Sequence, residues 1–343
     1  MRRVATPQGT AGGGWRGALA ALAALLCATW LAGCAATART DTALHADAHA
    51  GARAVEIAPG VYMLQGAAGE VDPSNLGRIG NAGFIVGPNG VIAIDTGTSY
   101  RHGVALLAAL RRVTDKPVVL AIVTHTRQEF LFGAAAYREQ AIPLHMHRAA
   151  AGLMRSRCER CLKTLRQQLG DNEMRGTAMF TPDVEFDGAH TIERIGRRVQ
   201  VIYAGPSSGP GDVAVFDPST GVLFGGGLLD HQRIPDVQDS EPTAWKQALS
   251  ALRGLPIRAV VPGHGPLASV AVIDDVERYL TRLEARVAQL LQAGTALSDV
   301  ADAAAQPEVQ AWDQYDTIHR RNASILFVRL ERDQMFKRAA AEP

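Results

Sequence analysis

The chain has 343 residues, a formal net charge of +1, 47% hydrophobic and 20% charged residues. That is a globular composition with enough apolar material for a full core, and it excludes a low-complexity or disordered chain. No Lys/Arg block stands out, which argues against a nucleic-acid partner.

Residues 1–33 read as a lipoprotein signal peptide. Arg2 and Arg3 open it, Arg16 is its last charge, and Ala18 to Ala32 is an apolar stretch too short to span a bilayer comfortably. It ends in Leu31-Ala32-Gly33-Cys34, which is similar to the bacterial lipobox, whose cysteine becomes the lipidated first residue of the mature chain. Ala35, not Asp, follows Cys34, and that resemblance implies a periplasm-facing protein held at the outer membrane by its N-terminal lipid. Segment 34–54, rich in Ala, Thr, Asp and His, is expected to be a flexible tether.

Short strands follow. Val61–Leu64 comes after Pro59-Gly60, and Phe84–Val86 and Val91–Ile94 flank the turn Gly87-Pro88-Asn89-Gly90 as a hairpin that runs into Asp95-Thr96-Gly97. Apolar spacing predicts a helix over about His102–Val113, and the continuous run Val118–Val123 predicts a buried strand. A helix is expected from about Arg148 to Leu169. Gln200–Tyr203, Val213–Phe216, Gly221–Phe224 and Arg258–Val261 are expected strands, with a helix over Thr243–Leu252. From about Ala271 the pattern turns helical, with stops at Gly294 and Pro307 and a last helix over about Thr317–Lys337. Hairpins followed by β-α-β units suit two packed sheets with helices outside, in one domain over 55–270 with a helical extension over 271–343.

Three segments at strand ends carry the chemistry: Thr124-His125-Thr126-Arg127-Gln128-Glu129-Phe130, then Gly205-Pro206-Ser207-Ser208-Gly209-Pro210-Gly211-Asp212, then Val261-Pro262-Gly263-His264-Gly265-Pro266. With the Asp95-Thr96-Gly97 turn, their order and spacing resemble the metallo-β-lactamase superfamily over about Val55 to Leu267. The resemblance implies an α/β (α+β) fold, a four-layer αββα sandwich, here with a C-terminal helical extension. It also implies a metal-dependent hydrolase ancestry, with Asp95, Gly97 and Asp212 as structural turn residues.

The family's first motif is His-x-His-x-Asp-His, whose tight loop converges imidazoles and a carboxylate on zinc and leaves a position open for an attacking water. Set against that pattern, His125 is retained, Arg127 replaces the second histidine, Glu129 the aspartate and Phe130 the last histidine. Ser208 stands where the second motif supplies histidine, Gly227 where a bridging aspartate follows the Leu223–Gly226 strand, and His264 is intact. One zinc would need His125, Arg127 and Ser208; the other would need Glu129, Phe130 and His264. A guanidinium cannot deprotonate in a protein and repels a divalent cation. No family-type zinc pair is therefore expected, and one ion at most. Arg127 is expected to fill the emptied pocket and pair with Glu129, and Phe130 to fill the space of a lost imidazole. Three readings stay open. The cleft can serve a binding or accessory protein; His125, Glu129 and His264 can form a mononuclear two-His, one-carboxylate hydrolase site; or Cys158 and Cys161 can serve a thiol–disulfide accessory protein. Ser208 is expected first as a small loop residue, with a Ser208–His264 nucleophile pair as the further alternative.

Cys158-Glu159-Arg160-Cys161 places two thiols on one face of the expected helix. In an oxidising compartment a disulfide pinning that helix is expected first, and a redox-active pair, serving a thiol–disulfide accessory protein, second. His145 and His147 nearby are expected to be packing and loop residues. The insert bearing the two cysteines, and the tail Trp312, Tyr315, His319, Asn322 and Glu331, are similar to a periplasmic subgroup described as quinoprotein relay zinc metallohydrolases. That similarity implies a periplasmic quinoprotein or cytochrome partner. The amphipathic tail helices offer a face for a homo-oligomer.

Overall fold

A computed structural model describes residues 53–341. The signal segment, Cys34 and the tether as far as residue 52 lie outside the described residues. Twelve strands form two sheets among the described residues. The first sheet takes β1 (Val55–Ala58), β2 (Val61–Leu64), β3 (Ala82–Val86) and β4 (Val91–Ile94), antiparallel to one another. A helix, α1 (Tyr100–Arg111), capped by the Ser99 side chain, crosses to β5 (Val118–Val123), which is parallel to β4. Two short helices absent from the sequence pattern follow, α2 (Gln128–Leu131) and α3 (Ala134–Glu139), then β6 (Leu144–His147).

Helix α4 (Arg148–Glu173) starts on a His147 cap: the imidazole accepts from the Ala149 amide. Its α-helical backbone breaks at Gly170 (φ 80°), where the periodicity expects the helix to end. Strand β7 (Val184–Phe186) completes the first sheet in the order β1 to β7. The second sheet runs β8 (His190–Ile192), β9 (Val199–Ile202), β10 (Ala214–Asp217), β11 (Val222–Gly226) and, across helix α5 (Pro242–Arg253), β12 (Ala259–Pro262). Helices α6 (Val272–Gln292), α7 (Leu297–Ala303) and α8 (Arg320–Ala341) close the chain, with a wide helical turn at Tyr315–His319 leading into α8.

The two-residue strand period builds the layers. In β4 and β5, Ile92, Ile94, Leu120 and Ile122 face inward and pack on Val199, Val201, Val215, Phe224 and Val261 of the other sheet. Their alternates Val91, Ala93, Ala121 and Val123 face α1, α3 and α4. In the second sheet Ala214, Phe216, Leu223 and Val260 face α5 to α8, with Trp245 and Tyr279 fully buried among them. This is a four-layer αββα sandwich with C-terminal helices. The tail shares the core of the second sheet. Its Asn322 amide donates to the Pro235 carbonyl (2.6 Å) and to the Tyr279 hydroxyl (3.0 Å), and its side-chain oxygen accepts from the Val237 amide (3.1 Å). Stacking and hydrogen bonding of Tyr315, His319 and Tyr279 complete that joint. These tail residues thus anchor the 232–238 loop, which forms one side of the cleft described next.

Candidate functional site

The ends of β4, β5, β11 and β12 converge, and the loops leaving them form a cleft of about 420 Å³. His125, Arg127, Glu129, Ser208, Cys158 and Cys161 are among its lining residues. Sequence order thus brings the candidate residues to one place.

The base of the site is a locked turn. Asp95 adopts φ 61°, and its carboxylate accepts from the Thr124 amide (2.8 Å) and hydroxyl (2.9 and 3.0 Å), tying the end of β4 to the end of β5. Gly97 (φ 90°) is required, because a Cβ there would meet the His102 ring at 2.6 Å. The Thr124 hydroxyl also contacts His125 Nδ1 at 2.8 Å. With its hydrogen given to Asp95, the hydroxyl accepts from Nδ1–H, which leaves His125 Nε2 as a bare lone pair. That nitrogen is buried and makes no hydrogen bond to the described residues. Burial, with the Arg127 charge adding to it, pushes the His125 imidazole down to about 3, so it is neutral. Burial also raises the Asp95 carboxyl, to about 7, against the Thr124 hydrogen bonds.

His264 stands between two carboxylates. Its Nε2 lies 2.9 Å from Glu129 Oε1 and its Nδ1 2.7 Å from Asp230 Oδ1, all three side chains being buried. Both ring nitrogens thus have a carboxylate partner, and a carboxylate accepts from whichever of them carries a hydrogen. Arg127 lies 3.5 Å from the other Asp230 oxygen and donates to the Asp236 carbonyl at 3.3 Å. The expected Arg127–Glu129 pair is therefore corrected. Arg127 fills the pocket but pairs with Asp230, because two residues of loop place Glu129 against His264 on the opposite motif. Burial opposes ionisation of Glu129, but the His264 hydrogen bond and charge, then Arg127 and Arg233, hold it at about 2. Asp230 is lowered in the same way by His264 and Arg127. Phe130, 1% exposed, lies with its ring 4.1 Å from that of His125 and 5.0 Å from that of His264, filling the gap between them.

Ser208 donates to Asp212 Oδ2 at 2.6 Å. With its hydroxyl on Asp212 and both His264 nitrogens committed, the Ser208–His264 nucleophile pair is not formed. At Gly227 a Cβ would come within 2.7 Å of Asp212 Oδ2 and 3.0 Å of the His125 ring, so the space of a bridging carboxylate is already filled. Burial raises Asp212 to about 6, and its Oδ1 has no hydrogen-bond partner among the described residues.

The donors test poorly against zinc. Of the mononuclear set His125, Glu129 and His264, two members spend their ligating atoms on each other, and the Phe130 ring separates the two imidazoles. Among the described residues no group of three or more His, Cys, Asp or Glu is arranged to hold a metal ion. Sequence reasoning missed Asp230, which lies three residues past the Gly227 position where an acid was sought. It also missed Asn81, whose amide donates to the carbonyls of Pro262 (2.9 Å) and Gly265 (2.8 Å) and so pins the Gly263-His264-Gly265 loop. An Asp closely following a strand end was a readable signal; a lone Asn before β3 was not. Cys158 and Cys161 stand in α4 as two thiols. A bridge between them would lie within that one helix.

The model of the metallo-β-lactamase superfamily matches residues 76–264. A linear primary-alkylsulfatase of Pseudomonas sp. (strain ATCC 19151) is 22% identical over 229 residues, 57% of this chain and 43% of that protein. A metallo-β-lactamase type 2 of Bacteroides fragilis is 25% identical over 146 residues, 41% of this chain and 59% of that protein. The matches thus span about half the length of these relatives. Among solved structures, a metallo-β-lactamase from Pontibacter korlensis superposes with a TM-score of 0.55 at 21% identity, covering 67% of this chain and 98% of that one. The DIM-1 metallo-β-lactamase gives 0.52 at 15% identity, covering 67% and 96%. The match over more than half the sequence, on the same layered fold, places the chain in the metallo-β-lactamase superfamily.

Proposed function

We propose that this protein is a binding or accessory member of its superfamily, in which a fixed ion-pair network occupies the place of the zinc pair and the cleft receives a ligand or partner. The observation that carries this reading is His264, held at both ring nitrogens by Glu129 and Asp230 while Arg127 closes the network on Asp230. Arg127, His264 and the two carboxylates thus satisfy one another in a buried network, in the place where a divalent metal and its ligands would stand. The experiment is elemental analysis of protein purified without added zinc. Well under one zinc per chain, unchanged in His264→Ala, is expected, with no hydrolysis of alkyl sulfates or β-lactams above background.

One observation favours a second reading, a mononuclear hydrolase on His125, Glu129 and His264: the bare, buried Nε2 of His125. Stoichiometric metal that is lost in His264→Ala establishes that reading and removes the first. The envelope setting rests on the Leu31–Cys34 lipobox, and labelled fatty acid incorporated at Cys34 tests it. A periplasmic quinoprotein or cytochrome as partner rests on the cysteine-bearing insert and the tail residues. Co-purification of a haem- or quinone-bearing protein tests it.

A further inference from the structure

The cleft wall carries a second chemistry that the ion-pair network does not use. Cys158 and Cys161 occupy one face of α4, three residues apart, and both line the cleft. Their exposures differ: Cys158 is 2% exposed, with its sulfur 4.0 Å from the Thr126 carbonyl, whereas Cys161 is partly exposed. A bridge here would close a loop that the helix already closes, where loop-closure entropy offers least. A reachable sulfur beside a shielded one is instead the arrangement that exchange chemistry needs.

We propose that Cys158 and Cys161 form a dithiol site for thiol–disulfide exchange opening into the cleft, with Cys161 the attacking sulfur, Cys158 the resolving sulfur and a disulfide as substrate. The inference stands without the binding reading above. The charges around the pair support it. A hydrogen bond from the Cys158 thiol lowers Cys161 to about 7, against burial and the Glu129 carboxylate, while the Arg157 guanidinium also favours the thiolate. The same hydrogen bond and burial raise Cys158. In the reaction the Cys161 thiolate attacks one substrate sulfur and the substrate S–S bond breaks. The released substrate thiolate takes a proton, leaving a mixed disulfide on Cys161. Cys158 then gives up its proton and attacks the Cys161 sulfur, and the second substrate thiolate leaves. The substrate disulfide is reduced to two thiols and the pair is oxidised to a disulfide. A dithiol donor reverses the sequence and restores the pair.

The test uses the full chain in detergent with oxidised glutathione as probe, read by mass mapping of the cysteine peptide. Wild type should finish as the Cys158–Cys161 disulfide with free reduced glutathione. Cys158→Ser should stop with glutathione on Cys161, and Cys161→Ser should react at least tenfold more slowly. Without any variant, iodoacetamide at pH 7 should label Cys161 of the reduced wild type at least tenfold faster than Cys158. Three results overturn the proposal: equal, slow labelling of both thiols; a bridge that excess reduced glutathione does not open, which makes the pair a staple; or protection of both thiols by zinc alone, which makes them metal ligands.

Discussion

Truncating His264 to alanine removes the imidazole that both Glu129 and Asp230 bind, at 2.9 and 2.7 Å in a buried setting. Breaking a buried charge pair by deleting one partner costs about 3–5 kcal/mol. A second route gives a similar figure. Glu129 is held at about 2 instead of 4.5, and that preference for the ionised form is worth about 3 kcal/mol, nearly all of it surviving because the group is buried. Arg127 stays beside Asp230, so one carboxylate keeps a counter-charge and the lower half of the range applies: about 3–4 kcal/mol. The sign with pH follows from a depressed carboxyl. Its contribution is complete above pH 4.5 and is lost as pH falls toward about 2, so the deficit of His264→Ala is largest at neutral pH and shrinks between those limits. Urea unfolding followed by circular dichroism, at pH 7 and pH 3, measures both. A chelator added to wild type should leave its midpoint unchanged. A deficit below about 1 kcal/mol at pH 7, or a chelator effect as large as the substitution's, would refute the reasoning.

Arg127→Met leaves Asp230 with His264 alone and should cost about 2–3 kcal/mol by the same denaturation, with no metal gained by elemental analysis. Asp95, raised to about 7 from 3.8, binds its proton more tightly folded than unfolded; it therefore contributes stability below pH 3.8 that is lost as pH rises through about 7. Asp95→Asn, which keeps an acceptor for the Thr124 amide, should flatten that slope of the unfolding midpoint, by about 4 kcal/mol at most. Gly227→Asp forces a Cβ to 2.7 Å from Asp212 Oδ2 and buries a further acid, so it should lower the thermal midpoint by the equivalent of about 3 kcal/mol and recruit no zinc.

The layers were readable because the central strands of the first sheet are continuous apolar runs: Val91 to Ile94 and Leu120 to Val123 announce strands buried on both faces, and helix spacing announces what covers them. The positions of His125, Glu129 and His264 followed from strand-end loops in the right order. Their pairing did not. Arg127 and Glu129 are two residues apart in sequence, which suggests a contact, yet the turn into α2 sends one toward Asp230 and the other toward His264. Short β7 and β8, three residues each, carry too little pattern to read alone. The role of the tail was also hidden. Asn322 looks like a polar helix residue until the Pro235 and Val237 backbone appears beside it.

Gly227 also constrains how such a chain can change. With Asp212 Oδ2 and the His125 ring 2.7 and 3.0 Å from where its Cβ would stand, an acid fits there only if neighbouring side chains move. Replacing Arg127 first strips a buried acid of its counter-ion, and replacing Phe130 first opens a void between two rings. Each such substitution made alone is thus expected to lower stability. Changes at these three positions therefore have to be made together if the floor of the cleft is to be rebuilt.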